Sequence, residues 1–169
     1  MRAAAMEPRI RRVVSWSVLP SIYGALMADK PAEIRAKLEH WLDENNREAI
    51  LDLYAGLAER EPLFRWSIQH SNYAYGTSDV YEYLQKARAF TIEPVAERIT
   101  QDVLLLSARE DLLVDFALYK QEIDLLKNTR SLEFAAPGRA LNGQAHCNMG
   151  NTKYMLDLIL NWNDRMLER

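Results

Sequence analysis

Two polar side chains in the second half of the chain are spaced so that they could share a proton. Asp111 follows an apolar run at 103–106 in the segment VLLLSARED, and His146 follows a second run at 132–135, in AAPGRALNGQAHCNMGN. If both runs are neighbouring parallel strands, their loops leave the same edge of the sheet and the two side chains can meet. A carboxylate bonded to an imidazole fixes its tautomer and stabilises the imidazolium that forms during proton transfer. The pair is therefore predicted to be the orienting half of a Ser-His-Asp system.

Three strands and two amphipathic helices would position these residues. Strands are predicted at 13–18, 103–106 and 132–135, and the unbroken apolar run of the second predicts burial on both faces. A helix follows the second strand and another follows the third, the latter with Asn151 or Thr152 as its N-cap. Their apolar faces are Phe116, Tyr119, Ile123 and Leu126, and Met155, Leu158, Ile159, Trp162 and Met166. This alternation predicts an α/β fold with a short parallel sheet of about three strands and flanking helices.

The stretch between the first two strands is helical in pattern. Pro31 can start its first helix, Trp66 lies in a shorter third helix, and Thr77 or Ser78 can cap the fourth. We expect residues 31–95 to form a helical cap over the carboxyl edge of the sheet. Residues 1–30, which contain the first strand, precede the cap, and residues 96–169 follow it as an α/β part that carries the loops of Asp111 and His146. Trp66 and Tyr73 are predicted to line a substrate pocket, with helix packing as the alternative.

Composition excludes several classes of function. The 169 residues are 49% hydrophobic and 27% charged, with a net charge of −3, which is ordinary for one globular domain and gives no broad cationic field for nucleic acid or a membrane surface. Cys147 is the single cysteine, so no internal disulfide forms and a cytoplasmic location is expected; we interpret its side chain as a small buried hydrophobe. His40 and His70 have no metal-ligand spacing to each other or to His146, so neither a metal nor a cofactor is predicted.

A family resemblance rests on four segments: RAAAMEPRIRRVVSWSV, the helical insertion, ITQDVLLLSARED and QAHCNMGN. Together they resemble the C-terminal part of an α/β-hydrolase, in the branch of dipeptidyl-peptidase-like esterases and 2,6-dihydropseudooxynicotine hydrolase. The resemblance implies a partial α/β-hydrolase fold in which residues 2–7 end the helix after the nucleophile, Asp111 is the triad acid and His146 the base. It implies hydrolysis of a carboxylic ester or a related acyl or carbon–carbon bond. Gln101-Asp102 and Ser107-Ala108 depart from the proline and glycine frequent in the family, which leaves Glu110 or Asp115 as alternatives to Asp111.

The sequence contains no motif that could supply the nucleophilic serine of such a hydrolase. No Gly-x-Ser-x-Gly occurs in the 169 residues, and Ser15, Ser17 and Ser21 lie at or beyond the first strand rather than at a nucleophile elbow. We expect a truncated hydrolase that is inactive by itself. The alternatives are an inactive remnant or interaction module, and a half-enzyme completed by a separate N-terminal part. The exposed edge of the 13–18 strand predicts self-association.

Overall fold

A parallel sheet of three strands organises one of the two compact units of the protein. The structure, a computed structural model, describes residues 1–17 and 19–168. Within them the chain forms two compact units: unit 1, from 1–20 and 91–169, and unit 2, from 21–90. The elements are α1 (Arg2–Met6), β1 (Arg12–Trp16), α2 (Ile22–Met27), α3 (Ala32–Asp43), α4 (Arg47–Arg60), α5 (Pro62–Tyr75), α6 (Val80–Ala89), β2 (Asp102–Leu106), α7 (Ala117–Leu125), β3 (Ser131–Ala135) and α8 (Thr152–Leu167), with 3₁₀ turns at Glu93–Arg98, Arg139–Leu141 and His146–Asn151.

The sheet of unit 1 has the order β1-β2-β3. Both pairs are parallel, with Arg12 opposite Asp102 and Asp102 opposite Ser131 at the amino ends of the strands. All five residues of β2 are buried because it is the central strand and has helices over both faces. The predicted α/β class and the three-stranded parallel sheet are thus confirmed. Val18, which the prediction placed in the first strand, lies outside the described residues.

Each face of the sheet has its own apolar layer. On one face Leu104 and Leu106 pack against α8 through three buried side chains, Met155, Trp162 and Met166. On the other face, Val103 and Leu105 pack with Ile99 and Leu126, and with partly buried residues of α1 and α7. Asn151 caps α8 as predicted, since its Oδ1 accepts the backbone N–H of Tyr154 at 3.2 Å.

Unit 2 is a helical unit with a separate core, formed by Tyr23, Met27, Leu38, Leu42, Ile50, Val80, Tyr83, Leu84 and Ala87. It spans 21–90, where the sequence led us to expect 31–95, because α2 adds Tyr23 and Met27 to this core. The third helix of the region, α5, has 14 residues and is not the short helix expected. The N-cap of α6 is Asp79, not Thr77 or Ser78: its carboxylate accepts the backbone N–H of Glu82 at 3.0 Å. Among the described residues, no helix is long and apolar enough to cross a membrane.

Candidate active site

Asp111 is held in the loop after β2 by its own backbone neighbours. Its Oδ1 accepts the backbone N–H of Leu113 at 2.8 Å and that of Val114 at 3.1 Å. The carboxylate has no exposed surface. A buried carboxylate is stable when hydrogen-bond donors surround it, and two backbone donors also fix its orientation.

His146 contacts this carboxylate from the loop after β3. Its Nδ1 lies 2.9 Å from Oδ1 and 2.8 Å from Oδ2 of Asp111, although 35 positions separate the two residues. An ionised carboxylate only accepts hydrogen bonds, so Nδ1 carries the proton and Nε2 of the neutral ring keeps its lone pair. The His146 side chain is 38% exposed, and its Nε2 makes no hydrogen bond within the described part of the chain. The arrangement leaves one ring nitrogen able to accept a proton.

The two loops are also joined beside this pair. The backbone N–H of Glu110 donates to the Gln144 carbonyl at 2.9 Å, and the Glu110 carboxylate accepts two hydrogen bonds from Arg139 at 2.7 and 2.6 Å. Arg139 lowers the pKa of Glu110. Asp115, the other alternative considered from sequence, accepts the backbone N–H of Ala117 at 2.8 Å. His146 therefore contacts Asp111, while both alternative carboxylates have other partners.

Asn148 anchors the histidine loop to the sheet, a role that the sequence did not reveal. This residue is fully buried. Its Oδ1 accepts the indole N–H of Trp16 at 2.9 Å, and its Nδ2 donates to the carbonyls of Ser107 at 2.9 Å and Gly143 at 2.5 Å. It thereby links the ends of β1 and β2 to the loop that carries His146. The side chain uses its acceptor and both donors, so no other residue type of this size could replace it.

The backbone of this loop is unusually constrained. Cys147 and Asn148 have φ values of 52° and 51°, in the left-handed region that Asn tolerates better than most residues. At Gly150 a Cβ would lie 2.1 Å from the carbonyl oxygen of Asn142, so only glycine fits there. Cys147 is partly buried and carries no disulfide. These constraints fix the path of the chain on the C-terminal side of His146.

A group of buried polar side chains lies between α7 and the sheet. It consists of Ser15, Ser17, Ser107, Tyr119 and Glu122, and their side-chain oxygens are buried without a hydrogen bond of good geometry within the described residues. Burial raises the pKa of Tyr119 to about 12, and the nearby hydroxyls of Ser17 and Ser107 act in the opposite direction. Burial raises the pKa of Glu122 to about 7, against the smaller effects of the N-terminal ammonium and the Ser15 hydroxyl.

The other predicted site residues lie in unit 2. Trp66 is 57% exposed and stacks on His70 with ring centroids 5.1 Å apart, and Tyr73 is 87% exposed. Both belong to α5, which contributes no fully buried residue. Their role in substrate binding stays a prediction. Among the described residues, no group of three or more His, Cys, Asp or Glu side chains could hold a metal ion.

Comparisons with known proteins find only weak similarity. No protein-family model matches the chain, and no curated protein matches it. Among solved structures, the chain is similar to a hydrolase from Pseudomonas aeruginosa PA01, with 16% sequence identity and a TM-score of 0.43. The match covers 93% of this chain and 56% of that one, so the chain spans about half the length of that hydrolase. A similarity this low assigns no family.

Proposed function

We propose that Asp111 and His146 are the acid and the base of a hydrolase of the Ser-His-Asp type, of the α/β-hydrolase family. The substrate would be a carboxylic ester or a related acyl or carbon–carbon bond, and the nucleophilic serine would come from a segment outside these 169 residues. The observation that carries the proposal is the bond from Nδ1 of His146 to a carboxylate with no exposed surface, which leaves Nε2 of a partly exposed ring unbonded.

Each group has a defined task in this chemistry. Nε2 of His146 takes the proton of the attacking serine hydroxyl and later returns it to the leaving group. Asp111 holds the proton on Nδ1 and stabilises the imidazolium while the ring carries both protons. Because Leu113 and Val114 fix the carboxylate through their backbone N–H groups, it does not need to reorganise when charge develops on the ring.

The three serines at the strand ends nearest the candidate site support an external nucleophile. Ser15, Ser17 and Ser107 follow or belong to the strands nearest the candidate site, but their hydroxyl oxygens are buried. Ser17 has a left-handed φ of 53°, yet it lacks the flanking glycines of a nucleophile elbow. A buried hydroxyl cannot attack a substrate that arrives from solvent, so none of the three is assigned this role.

A first experiment tests the geometry of Asp111 and His146 in the unaltered chain of 169 residues. Nitrogen-15 chemical shifts of the His146 ring should show a proton on Nδ1 at neutral pH. In Asp111→Asn the side-chain amide would face the ring, and we expect the proton to move to Nε2 because the amide N–H then donates to Nδ1. Asp115→Asn makes the same chemical change four residues away and should leave the tautomer unchanged. An Nε2-protonated ring in the unaltered chain would contradict the proposed base.

A second experiment tests the reaction. The DNA preceding the Met1 codon should encode a strand, a Gly-x-Ser-x-Gly and a helix, and the joined protein should hydrolyse p-nitrophenyl esters. In that protein Asp111→Asn should lower kcat by roughly 10⁴-fold, the loss typical of a triad in which the histidine tautomer is wrong. Asp115→Asn should have little effect. The absence of such a coding segment, together with the absence of turnover, would refute the hydrolase proposal.

A second candidate function is a non-catalytic module that associates through the β1 edge. The observation that favours it is the position of β1 at the end of the sheet: it pairs with β2 alone among the described residues, and Val14 is 38% exposed. An unpaired, apolar strand edge is a template for another strand. Light scattering at micromolar concentration should show a dimer or larger assembly that Val14→Lys abolishes and that Leu57→Lys, at an equally exposed position of α4, preserves. A monomer at all concentrations would exclude this candidate.

A further inference from the structure

Three arginines lie together at the amino ends of the strands, at the opposite end of the sheet from Asp111 and His146. Arg11 precedes β1, Arg12 begins it and Arg130 precedes β3. They line two neighbouring shallow depressions of about 230 and 240 Å³, and Arg11 and Arg130 contribute to both. The first depression is also lined by Pro8, Ile10, Thr100 and Gln101. We call this cluster of Arg11, Arg12 and Arg130 the amino-edge site.

Arg130 is held rigidly in this cluster. Its Nε donates to Oδ1 of Asp102 at 2.9 Å, and its Nη2 donates to the other carboxylate oxygen. Asp102 is buried and also accepts the hydroxyl hydrogen of Ser131 at 2.7 Å. The Arg130 side chain is nevertheless 63% exposed, and its Nη1 makes no hydrogen bond within 1–17 and 19–168. A guanidinium fixed on one edge presents its other donors with little loss of side-chain entropy on binding.

Arg11 and Arg12 add positive charge that the described residues do not balance. Neither forms an ion pair with any residue in 1–17 or 19–168. Among the described residues Asp102 forms its ion pair with Arg130, and Glu133 on the same sheet pairs with Arg165 at 2.6 Å. Several like charges at one place raise the local potential and attract a counter-ion, even in a chain with a net charge of −3.

We propose that the amino-edge site binds the phosphate group of a small molecule. The guanidinium fork matches the geometry of phosphate oxygens, and a preorganised arginine beside two that form no ion pair among the described residues can supply several charge-assisted hydrogen bonds. The size of each depression argues for one charged group, because sites for larger organic ligands have volumes of roughly 300–1,000 Å³. The site uses none of the residues of the proposed hydrolase, so it can be tested independently of that function.

The test is a titration of the nitrogen-15-labelled chain with inorganic phosphate and with phenyl phosphate, at ionic strength held constant with sodium chloride. We expect saturable shifts of the amide signals of Arg11, Gln101 and Arg130. Arg11→Gln and Arg12→Gln should each weaken binding at least about tenfold, as expected when a charged hydrogen-bond donor is lost. Arg35→Gln, which removes an exposed arginine from α3, is the matched control and should bind as the unaltered chain does.

The two ligands distinguish the sources of the phosphate group. Tighter binding of phenyl phosphate indicates a phosphorylated organic molecule, and equal binding indicates phosphate itself. Shifts that stay linear with phosphate concentration, or that sodium chloride alone reproduces, would overturn the proposal. The same would follow if Arg11→Gln and Arg12→Gln bound as tightly as Arg35→Gln. Retained dispersion of the amide spectra shows that each variant is folded.

Discussion

Glu122 makes the stability of unit 1 depend on pH. This side chain belongs to the buried face of α7, and burial raises its pKa from the ordinary value of 4.5 to about 7. The folded state therefore binds a proton more tightly than the unfolded state. The contribution of Glu122 to stability is therefore largest below pH 4.5, falls as the pH rises from 4.5 to about 7, and then levels off. The pKa difference corresponds to a loss of about 3 kcal/mol across this window.

The substitution Glu122→Gln removes the ionisation and keeps the shape of the protonated side chain. Near pH 4.5 the variant and the unaltered chain should be about equally stable, whereas at pH 8 the variant should be more stable by about 3 kcal/mol. Urea denaturation followed by tryptophan fluorescence measures this difference. In a Trp41→Phe/Trp66→Phe background, the remaining tryptophans, Trp16 and Trp162, both report unit 1.

Glu97 provides the control for this prediction. Glu97→Gln changes an exposed carboxyl in the same unit and should show no difference that grows with pH. Every other ionisable group is the same in the variant and the unaltered chain, so its contribution to stability cancels when the two are compared. A stability difference between Glu122→Gln and the unaltered chain that is the same at pH 4.5 and pH 8 would refute the assignment of a raised pKa to this carboxyl.

Three further substitutions test the structure by the same denaturation assay. Asn148→Ala should lower the free energy of unfolding by about 3 kcal/mol or more, because it leaves the Trp16 indole N–H and two carbonyls without their partner. An unchanged denaturation midpoint would count against the anchoring role. Gly150→Ala should destabilise by about 1–3 kcal/mol or prevent folding, since its Cβ would meet the Asn142 carbonyl; a neutral effect would mean that this turn adopts another path. Met155→Ala should cost about 2–5 kcal/mol through the cavity it leaves under β2, and a loss below 1 kcal/mol would contradict its burial.

The sequence revealed the elements whose signal is local. The unbroken apolar run of β2 predicted a strand buried on both faces, and the apolar face of α8 together with Asn151 predicted that helix and its N-cap. The contact between Asp111 and His146 could be anticipated because parallel strands bring successive loops to one edge of the sheet. Its catalytic role stays a prediction.

Other features depend on contacts that no local pattern encodes. Asn148 owes its role to Trp16, 132 positions away. α2 has six residues, too few for a clear period, and α5 buries no residue completely, so its apolar pattern is weak. For α5, Pro62 at its start and Gly76 at its end, with φ of 61°, were signals that could have given its length.

The pairing of β1 with β2 determines the order in which parts of the chain can fold during synthesis on the ribosome. Arg12 pairs with Asp102, so the strand β2, which β1 joins, is made about 90 residues after β1. At ordinary translation rates this takes roughly 5 to 20 s. Unit 2, whose core lies wholly within 21–90, is complete in that interval, while β1 still lacks β2 as its partner. The nascent chain therefore passes through a stage in which a finished helical unit follows an apolar strand open to chaperones or to neighbouring chains.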